Sequence, residues 1–271
     1  MTLEKICKMI SLPDEVTKEV MVYCDTNKSV IDTELRKRLL KRNLWEDAIE
    51  ELKRRIGEDP YGFYILSELL GMACDSYDEY KKRGIGDDIF TDTMKFCTRF
   101  INQHKEVHGH YAFVWAWWFP RQLAVLEFRI GELEYEFVTN ENERFIGIHI
   151  PGDARMDAIN IQKSFEDYQH FLEKYYPEWL NADWYCESWM MSPMLEKLLD
   201  DESNILQFNR LFEVESVDYD SLGALDWVYP GEEKVFENLS ENTSLQRKMK
   251  QFLLEGGKVG WAKARLKRNN T

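Results

Sequence analysis

Apolar residues recur every three or four positions along the first 110 residues, the period of helices buried on one face. Asp32, Thr33 and Glu34 supply a helix start running to about Arg42. Trp45, Ala48, Ile49, Leu52 and Ile56 form a second apolar stripe. Gly57 and Pro60 separate it from a third predicted helix over 61–83, which closes on Lys81, Lys82, Arg83 and Gly84. Cations in a last turn followed by glycine are C-terminal signals. Phe90, Met94, Cys97 and Ile101 predict a fourth helix from about Asp87 to Val107. No strand pattern interrupts this stretch, so residues 1–111 read as a helical domain.

The texture then changes. Tyr111 to Pro120 is almost wholly apolar and aromatic, which predicts a buried connection. In 126–130 and 133–137, apolar and charged residues alternate strictly, the period of half-buried strands. Gly131 and Glu132 between them predict a tight antiparallel hairpin with its acidic side chains in solvent. Residues 144–150 predict a third strand, apolar on both faces and therefore central. Ile161, Phe165, Tyr168, Leu172 and Tyr175 then mark a long helix that Pro177 ends. A short strand at 184–187, helices at 193–199 and 201–208, a strand at 211–217, a loop over 218–240 and a helix over 242–255 complete the reading. The order β-β-β-α-β-α-(α)-β predicts an α+β domain over 112–271, not the repeated βαβ of a dinucleotide fold.

Composition narrows the partners. The 271 residues carry a formal charge of −14, so dense phosphate contact is excluded as a general mode, and with it nucleic acid. Anionic membranes are excluded on the same ground. No run approaches the ~18 apolar residues of a spanning helix, and the N-terminus lacks a signal peptide's apolar core. Five scattered cysteines (7, 24, 74, 97 and 186), with no CxxC, predict free thiols in a reducing cytoplasm. Two Asn-x-Ser/Thr sequons then have no role.

Four features offer chemistry. His149 to Arg155 joins a central strand to a long helix, a place where backbone N–H groups and the positive dipole end converge on an anion. Only Gly152 lets the backbone approach closely. His149 alternates away from the isoleucine face, which suits a general base taking a proton from an amine. Cys186 and Ser188, at the end of a short strand, are candidate nucleophiles with His149 as base, although no GxSxG surrounds them. His104, His108 and His110 form HxxxHxH; the i, i+4 pair has ligand spacing for zinc, while histidines at a helix end are equally explained by the dipole. No metal is expected. Trp115, Trp117, Trp118, Trp179, Trp184 and Trp189 read as core rather than as an aromatic cage.

The order of pieces resembles the catalytic half of GNAT-superfamily acyltransferases. More narrowly, it resembles a bacterial acyltransferase-like family with a helical N-terminal domain and a GNAT-like C-terminal domain. The resemblance rests on His149-Ile150-Pro151-Gly152, on Cys186-x-Ser188-Trp189, on Ser203-Asn204-Ile205 and on the hairpin from Phe128 to Leu133. It implies an N-acyltransferase in which acyl-CoA lies where two central strands part and an amine attacks the thioester directly. It puts the cofactor against Ile150, Pro151, Gly152, Ala154, Arg155 and Met156, the acyl group near His149 and Cys186, and the leaving thiol near Asn204 and Phe208. The acceptor it implies is an amine on a small molecule or protein. The family's loop pattern, Gln/Arg-x-x-Gly-x-Gly/Ala, reads here Gly152-Asp-Ala-Arg-Met-Asp157, with Asp153 and Asp157 where phosphates would sit. The alternative is therefore a degenerate GNAT-like module that binds or interacts without catalysis.

Charge segregation adds to this picture. Residues 111–255 carry −16, and the last 16 residues carry Lys258, Lys263, Arg265, Lys267 and Arg268 with no acid. An acidic body suits a cationic acceptor. Arg155 and the basic C-terminal segment are the candidate partners for an anionic cofactor.

Overall fold

The computed structural model describes residues 1–140 and 143–267. The chain forms two compact units, Met1–Ile130 and a second beginning at Gly131. The division falls at the turn after Ile130, whereas the change in sequence texture lies at 111/112.

The first unit is helical: α1 Leu3–Met9, α2 Asp14–Thr26, α3 Thr33–Leu39, α4 Trp45–Ile56, α5 Phe63–Arg83, α6 Asp87–Met94, α7 Phe96–His108 and a single turn, α8, at Pro120–Leu123. The expected caps form. The Asp32 carboxylate accepts the Leu35 N–H at 2.8 Å, and Gly84 ends α5 in the left-handed region at φ 71°. The predicted helix over 87–107 is two helices, broken at Lys95. The 111–120 segment is only partly buried: Phe113 and Phe119 are in the core, whereas Val114 and Trp117 are exposed. The unit ends in strand β1, Glu127–Ile130.

The second unit runs β2 Leu133–Thr139, β3 Arg144–His149, α9 Ala158–Tyr175, β4 Asp183–Ser188, α10 Leu195–Leu198, α11 Asn204–Asn209, β5 Phe212–Asp218, α12 Gly223–Val228, α13 Ser244–Leu254 and β6 Trp261–Leu266. Its strands lie in the order β2-β3-β4-β6-β5. Strands β3 and β4 are parallel and the other pairs antiparallel. This mixed sheet with flanking helices is the α+β architecture predicted. One sheet face packs on α9, where Tyr135 and Tyr168 stack at 3.8 Å and Trp184 meets both rings edge-on. A second cluster, around Trp189, Leu206, Leu225 and Met249, joins α10–α13.

Three expectations are corrected here. The 218–240 stretch contains α12, whose Ala224 and Leu225 are buried. The helix expected over 193–199 is one turn, because Pro193 and Met194 precede it in a turn rather than in the helix. The largest correction is β6. The basic C-terminal segment is a central strand inserted between β4 and β5, with Ala262 and Ala264 fully buried. Its alternation carries no strand signal in the sequence, because alanine packs little surface and has low strand preference.

Candidate functional site

Register determines what β2 and β3 bring together. They pair antiparallel from Glu134↔His149 to Thr139↔Arg144, so Glu134, Glu136, Gly147 and His149 point to one sheet face. Glu136 lies diagonally across from His149, and His149 Nε2 donates to its Oε2 at 3.0 Å. Gly147 lies between them. A Cβ there would lie 3.6 Å from His149 Nε2 and 3.7 Å from Glu136 Cβ, ordinary contact distances, so the His149 ring lies back over the strand against Gly147. Glu136 is 2% exposed and His149 is half-buried at the strand's end. In the neutral ring this bond keeps the proton on Nε2 and the lone pair on Nδ1. A buried carboxylate in this position also stabilises the imidazolium that proton uptake creates.

The hairpin's acidic side chains are therefore not in solvent, as its alternation predicted. Glu132, Glu134 and Glu136 are all at least nine-tenths buried, and so is Glu127 in the first unit. Each buried carboxylate for which partners are resolved has donors aimed at it, the condition for burying charge. Glu127 accepts from Trp118 Nε1 at 3.2 Å and Gln122 Nε2 at 2.5 Å. Glu132 receives the Arg155 backbone N–H at 2.9 Å together with its Nε at 2.8 Å and Nη2 at 2.6 Å.

Beside His149 the sheet opens. Strands β3 and β4 pair from Phe145↔Asp183 to Ile148↔Cys186, and the pairing stops there. β4 continues to Ser188 against β6, while β3 turns into the loop leading to α9. The gap thus lies at the carboxyl ends of the two parallel strands, where open sheets bind ligands. Along the loop, Ile150 and Met156 are partly buried, Pro151 is buried, and Ala154 N–H closes a turn on Pro151 O at 3.0 Å. A Cβ at Gly152 would meet nothing within 4 Å, so the backbone there borders open space. The mouth of α9 is already capped. Asp157 accepts Asn160 N–H at 3.1 Å and Nδ2 at 2.6 Å, and these bonds hold its carboxyl below the usual range.

Several expected assignments do not fit this geometry. Arg155 is not an unopposed cation: its Nε and Nη2 both donate to Glu132 Oε1, and this raises its pKa. The C-terminal cations are also engaged. Lys258 pairs with Asp220, Lys267 donates to Arg210 O, and Lys263 lies 4.6 Å over the Tyr185 ring. Arg265 approaches Glu213 and Glu215, and Arg268 lies outside the described residues. Cys186 is 1% exposed, and burial pushes its thiol far above the ordinary value, which removes the thiolate a nucleophile needs. Ser188 Oγ accepts Met190 N–H at 3.1 Å and caps the turn after β4. Asn204 is exposed at the start of α11, whereas Phe208 is in the core against Phe212. Glu136, Glu132 and Gly147 escaped the sequence reading. The signal for Glu136 was the diagonal of a hairpin strand next to a strand-end histidine, visible only once the register is known.

Among the described residues, no helix is long and apolar enough to cross a membrane. Comparison with known proteins agrees with the architecture. Residues 1–125 match the N-acyltransferase N-terminal domain and residues 122–266 the GNAT-like C-terminal domain. No curated protein matches the chain in sequence. Among solved structures, an acyltransferase variant in complex with octanoyl-CoA is similar at a TM-score of 0.78 and 19% identity, over 98% of this chain and 87% of that one. An acyltransferase in complex with decanoyl-CoA and teicoplanin is similar at 0.70 and 17%, over 98% and 99%. A third, with CoA and 10C-teicoplanin, is similar at 0.70 and 18%, over the same shares. The paired helical and mixed-sheet units, the gap at the ends of β3 and β4 and the two domain matches lead to one assignment: the chain belongs to the GNAT-like C-terminal domain family.

Proposed function

We propose that this protein transfers an acyl group from acyl-CoA to the amine of a small-molecule acceptor. The observation that carries the reading is the Glu136–His149 pair at the edge of the gap between β3 and β4. In this reading the acyl group lies in the gap, and the backbone of residues 150–156 faces the pyrophosphate. The amine nitrogen attacks the thioester carbon while His149 takes its proton on Nδ1, and the imidazolium is held by Glu136. The C–S bond then breaks, and CoA leaves as a thiol with a proton returned from the medium or from His149. Acyl chains of eight to ten carbons are the first donors to test, since octanoyl- and decanoyl-CoA are bound in the similar acyltransferases. A glycopeptide is the acceptor named for one of those proteins. The −16 of residues 111–255 favours a cationic acceptor here, and added salt then lowers kcat/KM.

A non-catalytic reading draws on one observation, Asp157 filling the mouth of α9 where phosphate would compete. One experiment separates the two. A thermal-shift series with acetyl-, octanoyl- and decanoyl-CoA is run beside thiol release with an amine panel. Catalysis requires both a rise in Tm, since a ligand bound by the native state stabilises it, and thiol release that disappears in His149→Ala while the Tm rise remains. A shift without release for any amine leaves the binding module. No shift at millimolar acyl-CoA removes catalysis and leaves a module that interacts without the cofactor.

A further inference from the structure

Glu132 holds the loop after β3 from the side opposite the gap. The gap opens between β3 and β4, whereas Glu132 immediately precedes β2, the neighbour of β3 on its other edge. Glu132 Oε2 accepts the Arg155 N–H at 2.9 Å, and Oε1 accepts Nε at 2.8 Å and Nη2 at 2.6 Å. Backbone and side chain of one loop residue are thereby drawn to the same buried carboxylate. That carboxylate is itself fixed, because the residues on either side of it pack on Ser164 of α9. Leu133 N–H donates to Ser164 Oγ at 3.3 Å, and a Cβ on Gly131, at φ 62°, would lie 3.0 Å from Ser164 Cβ. The loop is pinned by the Pro151–Ala154 turn, by Glu132 at Arg155 and by the Asp157 cap of α9. Gly152, whose backbone borders open space, lies inside that turn.

We propose that Glu132 is a positioning residue for acyl-CoA, acting through Arg155 to preset the loop backbone that faces the pyrophosphate. This role rests on the acyl-transfer reading. Arg155 is then an anchor and not a phosphate ligand, since its N–H and one edge of its guanidinium are committed to the β2 side. A backbone already held in its binding conformation loses less freedom when the ligand arrives. The clamp therefore lowers KM for acyl-CoA and leaves proton transfer at His149 unaltered.

The test is thiol release by the full chain in wild type, Glu132→Gln, Arg155→Met and the double variant, with melting curves to confirm folding. Octanoyl-CoA is one donor, and octanoyl-pantetheine, which lacks the pyrophosphate, is the other. Each single variant is expected to raise KM for octanoyl-CoA about threefold to tenfold, the range one net hydrogen bond supplies, with kcat unchanged. The double variant raises it no further than the larger single effect, because both changes break one clamp. KM for octanoyl-pantetheine is the same in all four proteins. An unchanged KM for octanoyl-CoA in Glu132→Gln overturns the proposal. A lower KM overturns it too, since the released guanidinium then binds phosphate directly. An equal rise with octanoyl-pantetheine also overturns it, because the loop's hold on the pyrophosphate is then not what changed. In these three cases wild-type turnover leaves the acyl-transfer reading standing, whereas no calorimetric binding of octanoyl-CoA to wild type removes reading and proposal together.

Discussion

Glu136→Gln isolates what the buried carboxylate contributes to catalysis, because it keeps the volume and an oxygen acceptor and removes only the charge. The bond it alters is 3.0 Å long and ends on a side chain 3% exposed, so water screens it little. A hydrogen bond to a charged group under such conditions contributes about 1.5–3 kcal/mol. The part that grows as His149 becomes an imidazolium lowers the barrier, which converts to a loss of about 10- to 150-fold in kcat. KM for octanoyl-CoA is unchanged, since neither residue is assigned to hold the cofactor. His149→Ala is expected to cost about 10²–10⁴-fold, the range of general-base catalysis. The double variant should be no slower than His149→Ala, because a residue that acts through another loses its effect once that residue is gone. The assay is release of free CoA thiol at saturating acyl-CoA and amine, with melting curves to confirm folding. A loss below about threefold in a folded Glu136→Gln, or strict additivity in the double variant, refutes the pairing as a catalytic device.

Other consequences follow from the same geometry. Asp157→Ala removes the cap of α9 and lowers Tm by a few degrees at neutral pH. Since folding depresses the Asp157 carboxyl, its contribution is present above the ordinary carboxylate value of 3.8 and fades as pH falls below it. Wild type and variant should therefore converge in acid melts; a gap that persists at pH 2 would count against the cap. Tyr168→Phe should leave Tm unchanged or raise it, because the buried hydroxyl has no hydrogen-bond partner, whereas Tyr135→Phe loses a 2.9 Å bond to Ser164 and about 1 kcal/mol. Equal losses in denaturant titrations would show that reasoning to be mistaken. Cys186→Ala should retain thiol-release activity within a few-fold, and native Cys186 should resist thiol reagents while exposed Cys24 reacts. Loss of turnover in a folded Cys186→Ala would restore it as a catalytic group.

How much of this was legible in the sequence depends on the distance over which each feature is decided. Local periodicity and capping were enough for most of the helices: Asp32, Gly84 and Pro177 act on bonds within a few residues of themselves. The strict alternation around Gly131 located strands β1 and β2, and the strand-end position of His149 marked the site. Periodicity of two, however, states only that successive side chains point to opposite faces. Whether a face meets water depends on what packs over it, which is why four glutamates read as solvent-exposed are buried. Their partners are separated from them in sequence: Arg155 lies 23 residues from Glu132, and His149 lies 13 residues from Glu136. The place of the basic C-terminal segment is hidden from the sequence for the same reason. A run of cations beside alanines becomes a central strand only because β4 and β5 each offer it an edge. Sequence alone determined the fold class, the strand-to-helix junction and the histidine at its start. Tertiary structure decided which carboxylate faces that histidine, because register sets contacts across a sheet and no short-range pattern encodes it.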